Sequence, residues 1–105
     1  MTYEVLFTPT AQSQALDAAE HIALHSPANA LNWYKGVERA IESLSRFPNR
    51  CGIAPETEFL GQTLRHYVYK SHRIIFRVEE EAGIVRILYV RHGAMEPIGK
   101  GESGK

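Results

Sequence analysis

The hydrophobic rhythm changes repeatedly along this chain. Tyr3 to Phe7 alternates and stops at Thr8-Pro9, which predicts a short strand. Thr8 is a good N-cap and Pro9 a good first helical residue, so a helix is expected there. Ala15, Ala19 and Ile22 then recur at helical spacing in an Ala-rich stretch up to His25. Ser26-Pro27 repeats the same cap-and-proline device. Beyond it Ala30, Trp33, Tyr34, Val37, Ala40, Ile41 and Leu44 follow the i, i+3, i+4, i+7 rule. Lys35, Glu38, Arg39, Glu42 and Arg46 fill the opposite side, and Phe47-Pro48 closes the helix. The short joint makes a helical hairpin whose apolar side needs a sheet to cover it.

Residues 48–62 read as loop, punctuated by Pro48, Gly52, Pro55 and Gly61. The rhythm then returns to alternation from Leu64 to Gly93, with turns expected at Lys70-Ser71 and Glu80–Gly83. Turns this short force antiparallel pairing of three strands. The expected fold class is α+β, a two-helix hairpin packed on one face of a small antiparallel sheet in the order β-α-α-β-β-β. A chain of 105 residues is one domain, expected over residues 1–96. Residues 97–105, ending in the Gly/Ser/Lys/Glu stretch from Gly99, are expected to form a flexible tail.

Strict alternation puts Ile74, Phe76 and Val78 on one face, with Val85, Ile87 and Tyr89 from the next strand. The other face then holds Arg73, Ile75, Arg77 and Glu79 with Arg86, Leu88, Val90 and His92. A four-residue turn sets Arg77 opposite Arg86 and Arg73 opposite Val90. Opposed arginines repel, and exposed Ile75, Leu88 and Val90 beside them form an apolar patch. Both costs make sense if a partner covers this face. The alternative is a solvated face on which Glu79 to Glu81 partly neutralise the arginines.

The formal net charge is zero, and that average hides a division. Residues 1–61 carry four Lys or Arg against seven Asp or Glu, whereas residues 62–92 carry six against three. A basic sheet on a neutral chain suggests an anionic partner at one face. No apolar run approaches a membrane span and no signal-like segment precedes the first strand, so a cytoplasmic protein without membrane contact is expected. Cys51 is the lone cysteine, which leaves no intrachain disulfide and suits a reducing compartment. A nucleophilic role for it competes with an incidental thiol.

His21 and His25 are four apart, but Ile-Ala-Leu intervenes, so the zincin glutamate is missing. P-loop, G-x-S-x-G, G-x-G-x-x-G and Cys/His zinc spacings are likewise missing. No metal site or cofactor is expected.

Ala54-Pro55-Glu56, Leu64-Arg65, His72-Arg73-Ile74-Ile75-Phe76 and Ile87-Leu88-Tyr89-Val90-Arg91-His92-Gly93-Ala94 occur in this order and spacing. In these pieces the chain resembles the RelE/ParE superfamily of bacterial type II toxin–antitoxin toxins, over nearly its whole length. The resemblance implies a growth inhibitor of the plasmid-stabilisation type, neutralised by a cognate antitoxin that is acidic and partly disordered alone. It implies either of two targets, DNA gyrase for ParE-like members or mRNA on the ribosome for RelE- and YoeB-like ones. The Arg91-His92-Gly93-Ala94 ending is more similar to ParE-type relatives. A metal-independent endoribonuclease would match Glu56 to the base, Arg65 and Arg73 to phosphate binding and His92 to the acid/base. Simpler roles compete: Glu56 capping a turn, Arg65 pairing with Glu58, His92 ending a strand. An inactive relative that only binds its antitoxin and a homodimer also stay open. The antitoxin is expected across Arg73, Ile75, Arg77, Arg86, Leu88, Val90 and His92.

Overall fold

A computed structural model describes residues 2–100 of the chain. β1 spans Glu4–Phe7, α1 Pro9–Ala23, α2 Pro27–Ser43, α3 Glu56–Leu60, β2 Arg65–Tyr69, β3 His72–Glu79 and β4 Ile84–His92. Both long helices start as their sequences dictate. Thr8 Oγ1 accepts from the Ala11 N–H, Ser26 Oγ accepts from the Asn29 N–H, and proline fills the first helical position each time. α1 stops at Ala23, where Leu24 N–H closes onto His21 O. His25 therefore lies beyond the helix, and the His21/His25 spacing is not a helical pair.

The four strands are ordered β1-β4-β3-β2. The C-terminal three pair antiparallel, as the short turns require, whereas β1 joins β4 in parallel. The sheet is therefore mixed, because the helical hairpin carries the chain back over the sheet before β2 begins. The α+β architecture is otherwise the one expected. The loop expected over residues 48–62 contains a 3₁₀ turn at Pro48–Arg50 and the short helix α3.

One irregularity decides which residues face where. β3 and β4 pair Ile75 with Tyr89 but Phe76 with Ile87, so Leu88 is an extra residue in β4. A bulge of this kind reverses the alternation beyond it. Val90 consequently turns into the helix-side core with Ile74, Phe76, Val85 and Ile87. Arg73 faces Arg91 rather than Val90, while Arg77 faces Arg86 as expected. Strict alternation cannot anticipate the change of phase.

The helix hairpin covers one sheet face around Trp33, Val37, Ile41 and Leu44. Gly36 lets β2 approach, since a Cβ there would sit 1.8 Å from the Tyr69 hydroxyl. The other face is not open along its length. Ala54, Leu64 and Ile75 form a second buried cluster, flanked by Leu60, Leu88, Tyr89 and Ile98. Ile75 is fully buried there. Residues 97–100 of the expected tail are described and Ile98 packs on this cluster, whereas residues 101–105 lie outside the described residues.

Candidate functional site

α3 begins at Glu56 and lays its carboxylate over the second sheet face. β3 presents Arg73 from below. The two meet as a fork: Nη1 donates to Oε1 at 2.9 Å and Nη2 to Oε2 at 2.6 Å. The Ile98 N–H donates to Oε2 at 3.2 Å. Glu56 is fully buried and Arg73 is 8% exposed. Burial pushes the Glu56 carboxyl pKa up, but the Arg73 guanidinium and the backbone N–H groups outweigh it and hold it below the usual range.

Arg73 Nη1 also lies 3.0 Å from His66 Nδ1. A guanidinium only donates, so Nδ1 accepts and the ring is neutral with its proton on Nε2. Burial lowers the His66 pKa and the Arg73 charge lowers it further. Sequence reasoning missed His66, although the signal existed. With the turn at Lys70-Ser71, counting back places His66 opposite Ile75, diagonal to Arg73 on the same face.

A second cluster lies at the other end of this face. Glu79 takes Arg77 through Nε and Nη2 at 3.0 and 2.9 Å. Arg86 donates to it through Nε at 2.7 Å and Nη2 at 3.2 Å. Arg77 Nη1 further donates to Gln62 at 2.6 Å. The shared carboxylate relieves the repulsion of the opposed arginines. Hydrogen bonds from Arg86 and then Arg77 pull its pKa down to about 2. Two guanidiniums on one carboxylate leave net positive charge on a partly exposed surface.

The remaining candidates lie elsewhere. Arg65 pairs with Phe76 on the helix-side face, and its Nη1 donates to the Cys51 carbonyl at 2.6 Å. His92 ends β4 opposite His72, exposed, with Nδ1 accepting from the Ala94 N–H. Of the four residues of the nuclease constellation, the fold brings Glu56 and Arg73 together. It sets Arg65 and His92 on the opposite face. Among the seven partner-face candidates, Arg77 and Arg86 stay accessible and Leu88 is half-buried. The placement of Arg73, Ile75 and Val90 on an open surface is corrected, since all three are buried. His92 is exposed but belongs to the other side of the sheet.

Comparison with known proteins agrees with this architecture. The family model described as the ParE toxin of the type II toxin–antitoxin system parDE matches residues 5–97. The chain is similar to a chain of the chromosomal ParDE toxin–antitoxin system from P. aeruginosa, with a TM-score of 0.69 and 19% identity, covering 87% of this chain and 96% of that one. It is also similar to a chain of the RelBE2 toxin–antitoxin complex from Mycobacterium tuberculosis, with a TM-score of 0.59 and 26% identity, covering 88% of this chain and 99% of that one. No curated protein sequence matches at a significant level. The chain belongs to the ParE toxin family of type II toxin–antitoxin systems, within the RelE/ParE superfamily. Among the described residues no helix is long and apolar enough to cross a membrane.

Proposed function

We propose that this toxin inhibits growth by binding, with DNA gyrase in the cytoplasm as its target, and that it does not cut RNA. The observation that carries the reading is the burial of Glu56. A general base must reach the proton that it removes. Here both carboxylate oxygens are engaged by Arg73, one of them also by the Ile98 N–H, and neither residue faces solvent. Arg65 and His92 stand across the sheet from that pair, so the acid, base and phosphate-binding groups do not converge on one phosphodiester. ParE-type relatives supply the gyrase expectation, together with a plasmid-stabilising role.

The cognate antitoxin is assigned to the surface of Arg77, Arg86 and Leu88. The charge left over on the arginines favours an acidic segment, which orders as it binds. Expression of Arg65→Gln and His92→Ala tests the mechanism. Both variants are expected to stay as toxic as the parent chain. Loss of toxicity in both, with folding intact, would return the nuclease reading to first place.

A further inference from the structure

The segment after α2 holds an aromatic ring out in solvent. Phe47 is 73% exposed. Its backbone is left-handed, with φ 48° and ψ 50°. A bulky residue rarely adopts that conformation, in which glycine would be relaxed. The neighbouring chain fixes it there. Arg50 Nη1 donates to the Arg46 and Phe47 carbonyls at 2.5 and 3.1 Å, and the Arg50 N–H donates to the Phe47 carbonyl at 3.0 Å. A strained backbone that displays an apolar ring points to a contact outside the chain.

An apolar hole opens on the same edge of the molecule. β1 is an edge strand. The Glu4 N–H donates to Gly83 O, toward β4, so the neighbouring Tyr3 N–H points outward, where it donates to Ser45 O at 2.8 Å. Arg46 bridges Thr2 on that outer side, and Phe47 follows it. Farther along this edge, Val5, Phe7 and Ile41 line a cavity of about 190 Å³ together with Glu38 and Glu42. Val5 and Phe7 pack on the helix-side core but stay only half-buried, and both glutamates are exposed. An apolar cavity of about 150 Å³ admits benzene, so this one has room for a phenyl ring.

The charges around the ring and the hole are opposite and unmatched. Arg46 and Arg50 flank Phe47, whereas Glu38 and Glu42 flank the hole. Among the described residues none of the four forms an ion pair within the chain.

We propose that two copies of this chain associate across the β1 edge, each Phe47 ring entering the Val5/Phe7/Ile41 hole of the other copy. The arginines beside each ring then meet the glutamates beside each hole. Ring and hole follow one another along one edge, so a twofold axis between them seats both rings at once. The contact is small, so the dimer is weak and forms with rising concentration. The hole lies on the helix side of the sheet, while Arg86, in register with Leu6, faces the other side. The surface is thus separate from that of Arg77 and Arg86, and the inference does not rest on the gyrase reading.

Sedimentation velocity of the purified full chain over rising concentration tests it. The parent chain is expected to show a reversible monomer–dimer equilibrium. Phe47→Gly is expected to weaken it roughly tenfold or more. Its melting temperature is expected to stay at or above that of the parent, because glycine relaxes the left-handed backbone. Arg46→Glu and Glu42→Arg are each expected to be monomeric alone and to associate when mixed in equal amounts. In the mixture every ring and hole again carry opposite charges. A parent chain that is monomeric at all concentrations, a Phe47→Gly chain that dimerises as well as the parent, or charge variants that fail to associate when mixed would overturn the proposal.

Discussion

Arg73 and Glu56, 17 residues apart in the chain, meet through two parallel hydrogen bonds beneath α3. The pair ties a five-residue helix to the second strand of the hairpin. It also receives the Ile98 N–H, so the segment after β4 is anchored at the same point. In the fold the two residues expected as base and phosphate ligand hold each other and join three segments of the chain.

Breaking that joint from one side leaves a buried charge. Arg73→Met is expected to cost about 3–5 kcal/mol, measured by urea denaturation. Pairing it with Glu56→Leu is expected to recover most of the loss, because an apolar pair needs no desolvation. If the double variant is as unstable as the single, the charge argument does not hold at this position.

Stability is expected to fall in two steps on acidification. The His66 and His72 pKa values lie below the ordinary 6.5, in both cases chiefly through burial. The unfolded chain therefore binds more protons, and stability is lost as pH drops below about 6.5. Glu56 and Glu79 are held below the ordinary 4.5. Their contribution is present above that value and is lost as pH falls through their folded pKa values. Urea midpoints measured across this range check both steps, and His66→Gln is expected to shrink the upper one.

The elements were largely legible in the sequence because local chemistry decides them. Thr8-Pro9 and Ser26-Pro27 each show a cap and a first turn, and Lys70-Ser71 shows a hairpin. The second face was not legible. The extra residue at Leu88 changes no composition and carries no turn signal, yet it moves Val90 into the core. Nor does the spacing of Ala54, Leu64 and Ile98 reveal that three separate segments close over Ile75. Those contacts are made only in tertiary structure.

At Gly36, α2 comes close against Tyr69 of β2. Gly36→Ala sets a methyl against the Tyr69 hydroxyl and ring, which pack beside Trp33. Overpacking of this kind is expected to cost about 1–3 kcal/mol, less the gain in helix propensity. Thermal melts and a changed Trp33 emission would register it. An unaffected melting temperature would mean that Tyr69 moves aside freely.

Antitoxin binding is expected to depend on Arg77 and Arg86 through charge. The double variant Arg77→Gln/Arg86→Gln should lose at least tenfold in affinity and show a flatter salt dependence, with its fold preserved. Leu88→Asp is a poorer probe, because Leu88 also packs on the buried Ile75 cluster. Unchanged affinity in the arginine variant would place the antitoxin elsewhere.

The target itself is decided by what accumulates when the chain is expressed without its antitoxin. Cells are sampled at one time point for gyrase trapped on cleaved DNA and for mRNA cut at ribosomal A-site codons. A toxin that acts by binding gives trapped gyrase complexes and uncut messages. Cut messages without trapped gyrase would contradict it.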